Sequence, residues 1–127
     1  MHYKLYYPSL YLGAHDLNGK DAVLTMRRLV IEEIETERGT EKRAVLYFVE
    51  TAKKAEREKT KEKRLVLNKT NASTIAAMYG AEVNDWHGKR ITLYAANVVA
   101  FGKEQEAIRV RPTPPATNPA PNEPETK

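Results

Sequence analysis

The sequence predicts a mainly β chain: a five-stranded Greek-key barrel, one helix between its third and fourth strands, and a disordered C-terminal tail. Three observations carry this expectation. Residues 22–34 are apolar and β-branched over a length that suits one long strand. A capped amphipathic helix begins near residue 68 and ends at Gly80, within a chain otherwise written in alternating strands. Six of the seven prolines lie after residue 111, in a stretch without a large apolar side chain. Such a stretch buries too little surface to offset the entropy of ordering it.

Taken in order, residues 1–20 carry Tyr3, Tyr6, Tyr7 and Tyr11 around Pro8 and end in the turn signal Asn18-Gly19. Amphipathic rings at this density cover a core or a contact between subunits, or form a stacking surface. The first strand then alternates Leu24 and Met26 inward against Thr25 and Arg27. The alternation breaks at Arg27-Arg28 and resumes with Leu29 and Ile31. That change of phase predicts a β-bulge, which lets one long strand bend and serve both halves of a small barrel. A charged turn at 35–42 with Gly39 leads to a second strand at 43–50. Ala44, Leu46 and Phe48 are assigned inward and Arg43, Val45, Tyr47 and Val49 outward, although the reverse phase is nearly as apolar.

Residues 51–63 hold Lys53, Lys54, Arg57, Lys59, Lys61 and Lys63 against Glu56, Glu58 and Glu62. Helix propensity is high there. With no apolar stripe to bury, the segment is read as a protruding, mobile connection. The third strand is 64–68, and Asn68, Thr70 and Asn71 are each able to cap the helix that follows. Ala72, Ile75, Ala76 and Tyr79 share one face of that helix, with Met78 at its margin, and Gly80 sits where a left-handed residue ends it. A turn at 84–89 contains Trp86, read as a structural residue folded over the helix end or the barrel rim. Ile91 and Leu93 mark the fourth strand, a loop holds Phe101, Gly102 and Lys103, and Ile108 and Val110 mark a fifth strand at 106–111. Arg109 and Arg111 point outward from it, where cations keep an exposed sheet soluble or blunt its edge. The expected organisation is one domain over 1–111, with the tyrosine-rich segment packed on it, and a tail over 112–127.

Three strands, a helix and two further strands, with the first strand long and bent, is the order of the OB-fold, whose helix plugs one end of the barrel. The blocks LNGKDAVLT at 17–25, RLVLNKTNASTIAAMY at 64–79, DWHGKRITLY at 85–94 and AIRVR at 107–111 resemble a family of small bacteriophage and prophage proteins. Most members of that family have no assigned function, and their setting is similar to that of phage recombination and replication accessories. The resemblance spans about 7–111 and implies a phage-related role near DNA, without an established active site. The basic segment after the second strand and the proline-rich tail depart from the family pattern.

Composition narrows the chemistry. The 127 residues include no cysteine, which excludes disulfides and thiolate chemistry. His2, His15 and His87 lack ligand spacing, and neither a glycine-rich phosphate loop nor a nucleophile elbow is present. The carboxylates Glu32, Glu33, Glu35 and Glu37 suit a solvated hairpin tip better than a two-metal nuclease. The sequons at Asn68 and Asn71 are explained by helix capping. No basic-then-apolar leader opens the sequence and no apolar run approaches the roughly 18 residues of a membrane span, so a cytoplasmic protein without membrane contact is expected. For a phage-encoded protein that means the host cytoplasm.

A net charge of +4 permits a polyanionic partner. On an OB-type barrel, single strands lie on the second and third strands, rimmed by the loops joining strands one to two and four to five. That face and its edges carry Arg27, Arg28, Arg43, Tyr47, Arg64 and Asn68, with Lys53, Lys54, Arg57 and Lys59 beside it and Phe101 and Lys103 in the far loop. Cations follow phosphates and exposed rings stack on bases irrespective of sequence. The expected function is therefore non-catalytic, sequence-tolerant binding of single-stranded DNA in replication or recombination, with RNA chemically compatible and no cofactor or metal. Tyr47 and Phe101 also have a packing reading, and the charged segment a purely solvating one. The alternatives are a module that contacts a phage or host DNA-processing protein, or an inhibitor of such an enzyme. Self-association through the tyrosines is compatible with each.

Overall fold

Fifteen residues of continuous β structure form the longest element among the described residues. The computed structural model describes residues 10–36, 39–100 and 102–115. In it β1 runs Ala22–Thr36 and β2 runs Gly39–Phe48. A helix, α1, spans Val49–Glu58, followed by a two-residue β3, Leu65–Val66. The second helix, α2, covers Lys69–Tyr79, and β4 (Arg90–Ala100) and β5 (Lys103–Val110) complete one antiparallel sheet in the order β3-β2-β1-β4-β5. Two 3-10 helices, Ala14–Leu17 and Val83–Trp86, cover parts of its inner face.

The bend in β1 falls where the broken alternation predicts it. Met26 pairs with Phe48 but Arg28 pairs with Tyr47, so Arg27 is the extra residue of a bulge. On one side of it Ala22, Val23, Leu24 and Thr25 pair with β4, and on the other side β1 pairs with β2 as far as Thr36. The turn after Trp86 supplies the backbone partners the bulge needs: Met26 N–H donates to the Lys89 carbonyl and Gly88 N–H to the Met26 carbonyl, both at 2.8 Å. One strand thus serves both halves of the sheet.

The sheet is open, which corrects the expectation of a closed barrel. β3 and β5 are its two edges. The third strand, expected over 64–68, contributes only two ladder residues before Asn68 turns the chain into α2. Residues 10–12 run beside it in the parallel sense, with Tyr11 opposite Arg64, Leu12 N–H on the Arg64 carbonyl and Arg64 N–H on the Leu10 carbonyl. At the other edge α2 reaches β5 directly, where Asn71 Nδ2 donates to the Ile108 carbonyl at 3.0 Å. Too short a third strand and a helix seated on the fifth leave no ladder to close.

Segment 51–63 is largely helical where a protruding connection was expected, so the described residues contain two α-helices where one was expected. Val49, Ala52 and Ala55 recur every three residues, and this narrow stripe, with Ala55 buried, turns α1 against β1 and β2. The Glu50 carboxylate accepts from Thr25 N–H and Oγ1, both at 2.7 Å, and Glu62 and Lys63 hold Arg27 and Asp16 beyond the helix. Val49 and Glu50 therefore belong to α1 and not to the second strand. The charged turn expected at 35–42 is mostly hairpin ladder, with Glu35 opposite Thr40 and Thr36 opposite Gly39.

The core lies between the inner face of the sheet, α2 and the two 3-10 helices. Leu46, Phe48, Ile75, Ile91 and Leu93 are at most 1% exposed, and Ile108 and Val110 close the side formed by β5. Ala72, Ala76, Met78 and Tyr79 pack against this cluster as the helical periodicity requires. Trp86 is buried and donates its Nε1–H to the Gly80 carbonyl at 2.9 Å, so it does fold over the end of α2. Of the tyrosine-rich segment, residues 1–9 lie outside the described residues, while Leu12, Ala14 and Leu17 join the core. The proline-rich end is described only to residue 115, without helix or strand, and the expectation for the rest of the tail falls outside the described residues.

Asn68 is the N-cap of α2, its side-chain oxygen accepting from Asn71 N–H at 2.8 Å. Asn68→Ala is expected to cost about 1 kcal/mol in denaturant unfolding. A loss below about 0.3 kcal/mol would show that packing alone starts the helix. Asp16 gives a pH signature. Partial burial pushes its carboxyl up, but the Gly13 N–H and the Lys63 ammonium outweigh this and hold it below its ordinary value. A carboxyl lowered on folding stabilises above its unfolded value of about 3.9, and that contribution is lost as pH falls through the folded value. Asp16→Asn should therefore lower stability at neutral pH and flatten the stability–pH curve below about pH 4. An unaltered curve would contradict the pairing.

Candidate nucleic-acid interface

Arg27, Arg28, Tyr47 and Arg64 are brought together by the bulge. Because Arg28 stands opposite Tyr47 in the ladder, and Arg64 immediately precedes β3 on the other side of β2, their side chains meet over the tyrosine ring. The guanidinium carbons of Arg28, Arg64 and Arg27 lie 4.6, 4.9 and 5.6 Å from the ring centre. At these distances each is held by the negative face of the ring. Arg64 Nη1 donates to the Tyr47 hydroxyl at 2.8 Å, and that hydroxyl donates in turn to Glu32. Burial, followed by the bond to Glu32, pushes the Tyr47 hydroxyl up from its ordinary value, so it stays protonated and donating.

Tyr47 is 4% exposed, which corrects its assignment as an outward ring free to stack. Val45, two residues earlier on the same face, is fully buried as well. Alternation did not separate the two faces of β2 because both are covered, one by the apolar core and the other, at Tyr47, by arginines.

Two carboxylates answer the three arginines. Glu62 takes Arg27 with both oxygens, at 2.7 and 2.9 Å, and Glu32 lies 3.8 Å from Arg64. Arg28 is exposed and pairs with no carboxylate among the described residues, so the group keeps one uncompensated cation held in place by Tyr47. Arg27, although paired, retains a buried Nε–H without an acceptor.

The other expected residues are distributed differently. Arg43 lies opposite Glu32 on β2 and is engaged with Glu41, its Nε 3.0 Å from the carboxylate. Lys53, Lys54, Arg57 and Lys59 are exposed on α1 and its left-handed C-cap, and α1 is tied to β1 through Glu50–Thr25 in its first turn and Glu62–Arg27 beyond its end. Lys54 also lines a hollow of about 570 Å³ between α1 and residues 10–16. The oxygen of Asn68 is occupied by the cap of α2. Lys103 opens β5 and is not in a loop, and Phe101 lies outside the described residues. Arg111 is committed to a bidentate pair with Asp21, at 3.0 Å for each bond, over the ring of Tyr94.

Sequence reasoning missed His87 and Asn84. Both line a hollow of about 190 Å³ beside the bulge, together with Arg27 and Arg28. The signal for them was weak: a polar turn next to the only tryptophan. Among the described residues no group of three or more histidines and carboxylates is placed to hold a metal ion, and no helix is long and apolar enough to cross a membrane.

Comparison with models of known families, with curated protein sequences and with solved structures finds no match.

Proposed function

We propose that this protein binds single-stranded nucleic acid without sequence preference and without catalysis, as a phage-type accessory to DNA replication or recombination. The observation that carries the reading is the arginine group at the bulge with α1 fixed beside it. Arg28 has a free guanidinium held by an aromatic ring, and α1 presents Lys53, Lys54, Arg57 and Lys59 on a helix anchored to the same strand. A strand's phosphates would meet Arg28, already held over a ring, and cations on a helix whose backbone is fixed, so part of the ordering cost is already met. With Tyr47 covered, planar contact with bases falls to the guanidiniums, which stack on π faces as rings do. The bent first strand and the helix after the third strand are consistent with an OB-type barrel opened at one seam.

The test is a titration of the full chain with oligo-dT and with duplex DNA at low salt. Binding of the single strand, weakened by added salt, supports the reading. No binding to either would sink it and favour a protein partner. That second reading has its own observation, since Ile31 on β1 and Val99 on β4 are 64% and 73% exposed on the two hairpins.

A further inference from the structure

We infer that the hollow at the bulge of β1 is a subsite for one unstacked nucleobase of the bound strand. The inference rests on the strand-binding reading and adds to it a place where a base, and not a phosphate, is received.

Size, lining and position point the same way. At about 190 Å³ the hollow is smaller than the roughly 300–1,000 Å³ that enclose a drug-sized ligand, which suits a single ring system with its sugar and phosphate left outside. Met26, Leu46 and Trp86 form an apolar lining, while Asn84 and His87 are polar side chains on its rim. A nucleobase has apolar faces and a polar edge and matches both. A bare anion would lose its hydration against the apolar lining without full compensation.

The polar groups are set in advance. His87 Nδ1 lies 2.6 Å from the Arg27 carbonyl, which only accepts, so this nitrogen carries the proton and in the neutral ring Nε2 is left as an acceptor. The Asn84 amide beside it both donates and accepts. The mixed edge of a purine or pyrimidine requires this combination. Arg27 and Arg28 both line the hollow and belong to the cationic group proposed to meet phosphates, so a strand held by that group runs beside the hollow.

Trp86 is the only tryptophan and lines the hollow, so its fluorescence reports occupancy without a label. The experiment compares an oligo-dT with an abasic oligomer of equal length and charge, using the wild-type chain and Val83→Phe, which narrows the hollow from a position 37% exposed. For wild type, oligo-dT should bind about 5- to 150-fold more tightly than the abasic strand and change Trp86 emission. In Val83→Phe that ratio should fall toward one. Asn84→Ala, also at an exposed position, should reduce the ratio in the same direction and serves if the first variant fails to fold. If both oligomers bind equally to wild type, or if folded variants keep the full ratio, the base subsite is overturned while strand binding stands. If neither oligomer binds wild type at low salt, the strand-binding reading itself fails.

Discussion

Phe48→Ala is expected to cost about 3–5 kcal/mol of folding stability, the largest single-residue effect in the domain. Phe48 is fully buried and occupies the junction on which the rest depends. It is the last residue of β2, stands opposite Met26 across the bulge, and is the N-cap residue from which α1 departs. Truncating it opens a cavity between elements that meet there from three directions, and their backbones are too constrained by hydrogen bonds to collapse into it. Domains are stable by about 5–15 kcal/mol, so the loss is a large share of the total. Urea unfolding of wild type and variant measures it, with the midpoint falling and the slope unchanged. A loss under about 1 kcal/mol would mean that the junction is not the centre of the fold.

The largest expected effect on binding belongs to α1. Replacing Lys53, Lys54, Arg57 and Lys59 together with glutamine should weaken single-strand binding and flatten its dependence on salt. If each cation neutralises one phosphate, the log–log slope becomes shallower by up to about 2.8 and affinity near 0.1 M salt falls by as much as several hundred-fold. All four side chains are exposed, so the folded state should survive, and circular dichroism with thermal unfolding checks this. Unchanged affinity and slope in a folded variant would remove α1 from the mechanism and leave the arginines at the bulge as the only cationic element of the interface.

How far the sequence revealed this arrangement differs from element to element. The bend in β1 was legible because an inserted residue interrupts a period-two pattern, and Arg27 does so visibly. The limits of α2 were legible because Asn68 and Gly80 are local signals with local causes. α1 was not. Its stripe consists of one valine and two alanines, and what fixes it comes from carboxylate contacts 25 and 35 residues apart in the chain, Glu50 with Thr25 and Glu62 with Arg27. The open sheet was hidden for a similar reason. Closure depends on what occupies the edges, and here residues 10–12 and Asn71 of α2 take positions that no periodicity announces.

For the candidate site, topology grouped Arg27, Arg28, Arg43, Tyr47, Arg64 and Asn68. The structure brings Arg27, Arg28 and Arg64 together over Tyr47, whose ring is covered and not open for stacking, and engages Arg43 and Asn68 elsewhere. Position placed the four residues near one another. Only side-chain geometry shows that the arginines cover the ring and take the outward face for themselves. His87 and Asn84 became visible once the turn after α2 was seen to close over the bulge.

The most direct test of the central claim is residue-resolved NMR mapping of the full chain during titration with oligo-dT at low salt. The account predicts shifts concentrated on Arg27, Arg28 and the exposed cations of α1, with His87 and the Trp86 indole responding in step. Shifts confined to the β4–β5 hairpin or to the exposed Ile31 side of β1, with the arginine group unperturbed, would contradict it.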